Sequence, residues 1–114
     1  MSNAVPTFEP TFENQLDIVK LGERHGFKYA LPMVKFRGFG GDTGCWDSCV
    51  EPFTLVAGLA AATSDMTFYP TLSTLAIHPV VAAQMIASLD QISQGRCGVN
   101  IVTGWNQAEY KQMG

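Results

Sequence analysis

The sequence is short of basic residues. Seven Lys and Arg stand against ten Asp and Glu over 114 residues, giving a formal net charge of −3 and a pI near 5.1. Nucleic acids and anionic membrane surfaces are held by clustered Lys and Arg, so this balance argues against either as the main partner. Long apolar runs are missing too: none approaches the roughly 20 residues that a membrane-spanning helix needs. The opening residues, MSNAVPTFEPTFE, carry neither a basic n-region nor an apolar h-region, which predicts no secretory signal. Cysteine is scarce and odd in number, three in all. That pattern predicts reduced thiols in a cytoplasmic protein rather than a disulfide framework. Cys45 and Cys49 have no CxxC motif and no His pair beside them. A zinc site takes about four ligands, or three and a water, so no metal is expected.

What is present reads as one domain's worth of alternating elements. A short duplication, Pro-Thr-Phe-Glu, spans residues 6–13 and predicts an extended lead-in over residues 1–10. Phe12, Leu16 and Val19 then follow at helical spacing with Ile18 and Leu21 beside them, Thr11 placed to cap the start and Gly26 to end the helix. Residues 27–34 form an apolar run that suits a strand, weakened by Pro32, which lacks a ladder donor. A Gly-rich polar loop covers residues 35–47. Residues 51–63 are apolar nearly all round and predict a buried helix with Pro52 in its first turn. Residues 67–72 predict a second strand. His78-Pro79 opens a third helix, with Val81, Met85, Leu89 and Ile92 as its apolar stripe, widened by Ala82 and Ile86, and with Gly95 at its end. Residues 97–102 predict a third strand and residues 107–113 the start of another helix.

Helices alternating with strands imply parallel strands joined by helical crossovers. The fold is α/β, and two endpoints are open: a doubly wound sheet, or part of a (β/α)8 barrel. A whole barrel takes about 250 residues, so a barrel here would be a partial one.

In both architectures chemistry gathers at the carboxyl ends of the strands. Lys35 follows the first strand, Thr71 lies near the end of the second, and Asn100 sits in the carboxyl half of the third. Side chains alternate across a strand, so Gly98, Asn100 and Val102 share one face while Val99 and Ile101 share the other, helix-facing one. An inward amide needs partners. A polar ligand is one source and neighbouring backbone is the other. Lys35 is otherwise a solvated loop lysine and Thr71 a residue of high strand propensity. Trp46 and Trp105 fall in loops beyond strand ends, suited to packing or to stacking on a ligand. Glu109 is either a first-turn helix acid favoured by the dipole or a site-lining group. His25 and His78 read as helix-end residues without a nucleophile partner. The stretch Gly38-Phe39-Gly40-Gly41-Asp42-Thr43-Gly44 fails G-x-G-x-x-G and lacks a Gly-Lys-Ser/Thr sequence, so it reads as a flexible loop over a site rather than a phosphate loop.

Several stretches together resemble the bacterial luciferase-like flavin monooxygenases, and within them the pyrimidine (uracil) monooxygenase group. They are Met33-Val34-Lys35-Phe36-Arg37-Gly38-Phe39-Gly40-Gly41, Trp46-Asp47 with Glu51-Pro52-Phe53-Thr54-Leu55, Ser93-Gln94-Gly95-Arg96, Gly98-Val99-Asn100-Ile101-Val102-Thr103-Gly104-Trp105, and Glu109-Tyr110-Lys111-Gln112-Met113-Gly114. The resemblance implies a partial (β/α)8 TIM barrel of about three βα units over residues 11–114, with the first strand and the C-terminal part missing. It implies reduced FMN supplied by a separate flavin reductase using NAD(P)H, O2 as co-substrate, and flavin peroxide chemistry that opens a pyrimidine such as uracil to ureidoacrylate. By the same resemblance Val34, Lys35, Asn100 and Glu109 contact FMN, and Lys35, Thr71, Asn100 and Trp105 serve the reaction. A full-length parent is expected to be a homo-oligomer, and this chain alone to be inactive. The alternatives are a dimethyl sulfone or alkanesulfonate monooxygenase of the same superfamily, and a non-catalytic module built on a truncated barrel.

Overall fold

The structure, a computed structural model, describes residues 8–113. Most of the expected lead-in, residues 1–7, lies outside the described residues, and residues 8–10 belong to no helix or strand. Nine elements follow in chain order: α1 (Phe12–Arg24), β1 (Tyr29–Ala30), α2 (Pro52–Ala61), β2 (Thr67–Phe68), β3 (Thr71–Ser73), α3 (Pro79–Ser93), β4 (Asn100–Val102), α4 (Gln107–Tyr110) and a 3₁₀ turn (Lys111–Met113).

The helix starts follow local chemistry. Thr11 accepts a hydrogen bond from the Asn14 amide through its hydroxyl. The Glu51 carboxylate accepts from the amides of Phe53 and Thr54 at 2.9 and 2.7 Å, with Pro52 in the first turn. His78 caps α3 through Nδ1, which accepts from the Val80 amide. Each such cap is worth about 1 kcal/mol, because it satisfies amides that the helix itself leaves without partners. Gln94 ends α3 in a left-handed conformation, with Gly95 also at positive φ behind it.

The first two strands are shorter than the apolar runs predict, and proline is the reason; the third, expected over residues 97–102, is strand only at Asn100–Val102 with an isolated bridge at Cys97. Of residues 27–34 only Tyr29–Ala30 is strand, yet the Pro32 carbonyl still accepts from the Thr71 amide. Residues 67–72 are split into β2 and β3 around Tyr69-Pro70, since Pro70 has no amide hydrogen. The split is local. β1 pairs in parallel with β2, β3 pairs in parallel with β4, and a parallel bridge joins Phe68 to Cys97. The central line, residues 67–73, therefore lies between the first and third lines. α2 and α3 supply the crossovers and pack against each other.

The core joins Phe53, Leu55, Val56 and Leu59 of α2 with Met66, Phe68, Leu72, Ala82 and Leu89, and Val19 of α1 reaches it. On α3 the buried line is Ala82, Leu89 and Ser93, with Met85 and Ile86 packed beside it. Val81 and Ile92, expected in the stripe, are exposed. The buried face is thus rotated off the most hydrophobic line of the helix. Val99 packs on the core as alternation requires, but its partner Ile101 is 63% exposed, because no described element covers that end of β4.

Candidate functional site

The parallel register sets the first contact. β3 and β4 align with Thr71 opposite Asn100. The Thr71 hydroxyl donates to the Pro32 carbonyl at 2.8 Å and accepts from Asn100 Nδ2 at 3.1 Å. Thr71 is buried and Asn100 half-buried. This chain of bonds ties all three strand lines together at their carboxyl ends. It also fixes which side of the Asn100 amide donates. Among the described residues Asn100 Oδ1 carries no hydrogen bond.

The second contact starts three residues past Pro32. Lys35 Nζ lies 2.8 Å from Glu109 Oε2, and the two side chains are 4% and 6% exposed. Glu109 stands in the first turn of α4, whose start is capped by Asn106 Oδ1. Its other oxygen accepts the Phe36 amide. Burial pushes the Glu109 carboxyl up. The Lys35 hydrogen bond, the Phe36 amide, the Lys35 charge and the Arg37 amide outweigh that and hold it below the ordinary carboxylate value. The acid is therefore an ionised partner held by donors from one short segment, residues 35–37.

Three aromatic rings enclose the ammonium. Lys35 Nζ is 4.9 Å from the Phe39 ring centre, 5.8 Å from that of Trp46 and 5.0 Å from that of Trp105. The rings also contact one another, with centres 5.5 Å apart for Phe39–Trp46 and 6.1 Å for Phe39–Trp105. A ring face attracts a cation, so an ammonium with few water contacts gains stabilisation from them. Trp105 is nevertheless 76% exposed, leaving one of its faces open to solvent.

The glycine-rich loop brings Phe39 and Trp46 to this place. It is a loop without helix or strand, cross-bonded at two points. The Phe39 amide donates to the Cys45 carbonyl, and Gly40 donates to the Asp47 carboxylate at 2.9 Å. A Cβ at Gly38 would overlap the Asp47 backbone, so glycine is required for this closure.

The structure thus brings Lys35, Glu109 and Trp105 into one cluster and Thr71 and Asn100 into another. The Pro32–Lys35 segment links them, and so does a hydrogen bond of 2.7 Å between Ser73 Oγ and Tyr110 Oη. Val34 is half-buried beside Lys35, and its side chain has no polar group to place. Sequence reasoning did not single out Phe36, Phe39, Ser73 or Tyr110 for this region. Ser73 carried a usable signal: two residues beyond Thr71, it must share Thr71's face of the strand.

A family model for luciferase-like monooxygenases matches residues 2–114. The chain is 50% identical over 114 residues to pyrimidine monooxygenase RutA of Pseudomonas savastanoi pv. phaseolicola, an alignment covering all of this chain and 32% of that protein. It is 48% identical over 114 residues to pyrimidine monooxygenase RutA of Caulobacter vibrioides, again over all of this chain and 32% of the relative. It therefore spans about a third of the length of these relatives. Among solved structures it is similar to riboflavin lyase (RcaE) with modified FMN and substrate riboflavin, with a TM-score of 0.80, 26% identity, and coverage of 91% of this chain and 25% of that one. It shares its fold with EDTA monooxygenase (EmoA) from Chelativorans sp. BNC1, with a TM-score of 0.82 and 24% identity over 90% of this chain and 24% of that one. With the match running along nearly its whole length, the chain belongs to the luciferase-like monooxygenase family.

Proposed function

We propose that residues 11–114 are a segment of a (β/α)8 barrel belonging to a flavin-dependent monooxygenase that acts on pyrimidines such as uracil. The observation that carries this reading is the convergence, at the carboxyl ends of parallel strands, of the buried Lys35–Glu109 pair under its aromatic rings with the Thr71–Asn100 pair. The identity of about one half to the pyrimidine monooxygenases supports the substrate class.

The residues present fit a flavin. A flavin ring edge alternates carbonyl oxygens with a ring N–H. Asn100 Oδ1, without a hydrogen bond among the described residues, is an acceptor of the kind that edge needs, and Nδ2 is held back by Thr71. Val34, Lys35, Asn100 and Glu109 would hold FMN. When bound, FMN supplies the electrons and the activation of O2.

The chain's own residues then orient and enclose. Glu109 holds Lys35 in place, so that the ammonium offers positive charge where oxygen anions develop. Thr71 fixes the Asn100 amide. Phe39, Trp46 and Trp105 keep water from the lysine, which strengthens its field. A separate reductase using NAD(P)H would supply reduced FMN, and the cytoplasm is the expected compartment. The chain alone, lacking most of a barrel, is expected to be inactive.

The test is turnover by a full-length parent carrying this segment, with FMN, a flavin reductase, NAD(P)H and O2, offered uracil and dimethyl sulfone separately. Ureidoacrylate from uracil alone is the expected result. Sulfone oxidation without any uracil product would overturn the substrate assignment.

A further inference from the structure

Tyr110 touches three separate parts of this region. Its hydroxyl lies 2.7 Å from the hydroxyl of Ser73, which is fully buried at the end of β3. Its ring meets Phe36 edge to face, with centres 6.3 Å apart. Gly104, at φ 87°, lies so close that a Cβ there would overlap the Tyr110 hydroxyl and ring. Phe36 and Gly104 are the neighbours in sequence of Lys35 and Trp105. Tyr110 itself follows Glu109.

A four-residue helix such as α4 has little stability of its own and must be held by tertiary contacts. The Ser73 bond is the anchor that joins it to the sheet. Gln112 adds a bond of 2.9 Å from the following turn to the Phe36 carbonyl, but that bond reaches the loop and not the sheet. We propose that Tyr110 is a positioning residue: through its hydroxyl bond to Ser73 it sets the Glu109 carboxylate against Lys35 and, through Gly104, the approach of Trp105. Its consequence for turnover rests on the flavin-enzyme reading. Its effect on Glu109 rests on the geometry alone.

The test removes one oxygen at a time. Tyr110→Phe and Ser73→Ala each delete a hydroxyl, and Ser73→Thr restores one. The readout is the titration of the Glu109 carboxyl by carbon NMR in the 114-residue protein. The charged or titratable groups that act on that carboxyl are Lys35, which bonds it, and Cys49, both from the segments before α2; Tyr110 and Lys111 follow it in the chain. Both deletions are expected to raise the Glu109 midpoint by about half a pH unit or more as its donors loosen, and Ser73→Thr to keep it near the wild-type value. In a full-length parent the same deletions are expected to lower kcat for the oxygenation while ring contacts preserve the fold. An unchanged Glu109 midpoint in a folded Tyr110→Phe protein overturns the proposal. If that variant does not fold, an unchanged midpoint in Ser73→Ala does the same. A parent that gives no uracil product leaves the titration result intact, so failure of the functional reading is separable from failure of this one.

Discussion

Lys35 and Glu109 are 74 positions apart in the chain and meet as a buried ion pair at 2.8 Å. Both side chains are almost fully removed from water. Removing one member of such a pair leaves the other charge buried without a counter-ion, which typically costs about 3–5 kcal/mol. Glu109→Ala is therefore expected to destabilise the protein by on the order of 3 kcal/mol in a denaturant melt, with part of the loss offset by the aromatic rings around the ammonium. The double variant Glu109→Ala with Lys35→Met is expected to be more stable than Glu109→Ala alone.

The same pair makes stability depend on acid. The folded Glu109 carboxyl titrates below its ordinary value of 4.5, and so does Glu23, whose burial, which raises it, is outweighed by amides of Asp65, Met66 and Ser64 and by the charge of Arg96. A depressed folded value means that folding favours the ionised form. The contribution is fully present above the unfolded value and is lost as pH falls from about 4.5 through the folded value. Melts of wild type and Glu109→Gln across this range are expected to show a stability gap near neutral pH that closes on acidification. A gap of constant size would remove Glu109 from the account.

Asn100 separates structure from chemistry. Its Nδ2 bond to Thr71 is a neutral one, worth about 1 kcal/mol. Asn100→Ala is expected to cost about that much stability, while oxygenation by a full-length parent falls by on the order of 100-fold, the scale of losing one oriented polar group at a reacting centre. A variant that unfolds, or that turns over normally, contradicts this division.

Arg96 supports the fold away from the site. Its guanidinium donates to the Ala60, Thr63 and Met66 carbonyls at 2.7, 3.1 and 2.8 Å, closing the C-terminus of α2 onto the turn before β2. Glu23 binds the amides of residues 64–66 from the other side. Arg96→Met is expected to cost about 2–4 kcal/mol in a thermal or denaturant melt, since charge-assisted bonds are worth about 1.5–3 kcal/mol each but do not add fully. A cost within a few tenths of a kcal/mol of zero would show that the turn holds without it.

Much of this arrangement is legible in the sequence. Thr11, Pro52 and His78-Pro79 mark helix starts because capping is local chemistry, and the structure places all three there. Strand alternation separates Asn100 from Val99, and the register then gives it Thr71. What escaped was long-range. Nothing near Ser73 names Tyr110 as its partner, 37 positions on. Periodicity put Val81 and Ile92 in the buried stripe of α3, because it weighs hydrophobicity and cannot see that the face carrying Ala82, Leu89 and Ser93 is the one that packing buries. Phe39 looked like a loop residue because its neighbours are glycines, yet those glycines let the loop fold its ring onto Lys35.

The central claim is that this segment serves the oxygenation of a pyrimidine. Its most direct test supplies a full-length parent with uracil, FMN, a reductase, NAD(P)H and ¹⁸O2, and reads the product by mass spectrometry. The account predicts ureidoacrylate carrying labelled oxygen, formed on the order of 100-fold more slowly by Asn100→Ala. Unreacted uracil from the folded, flavin-loaded wild-type enzyme would contradict it.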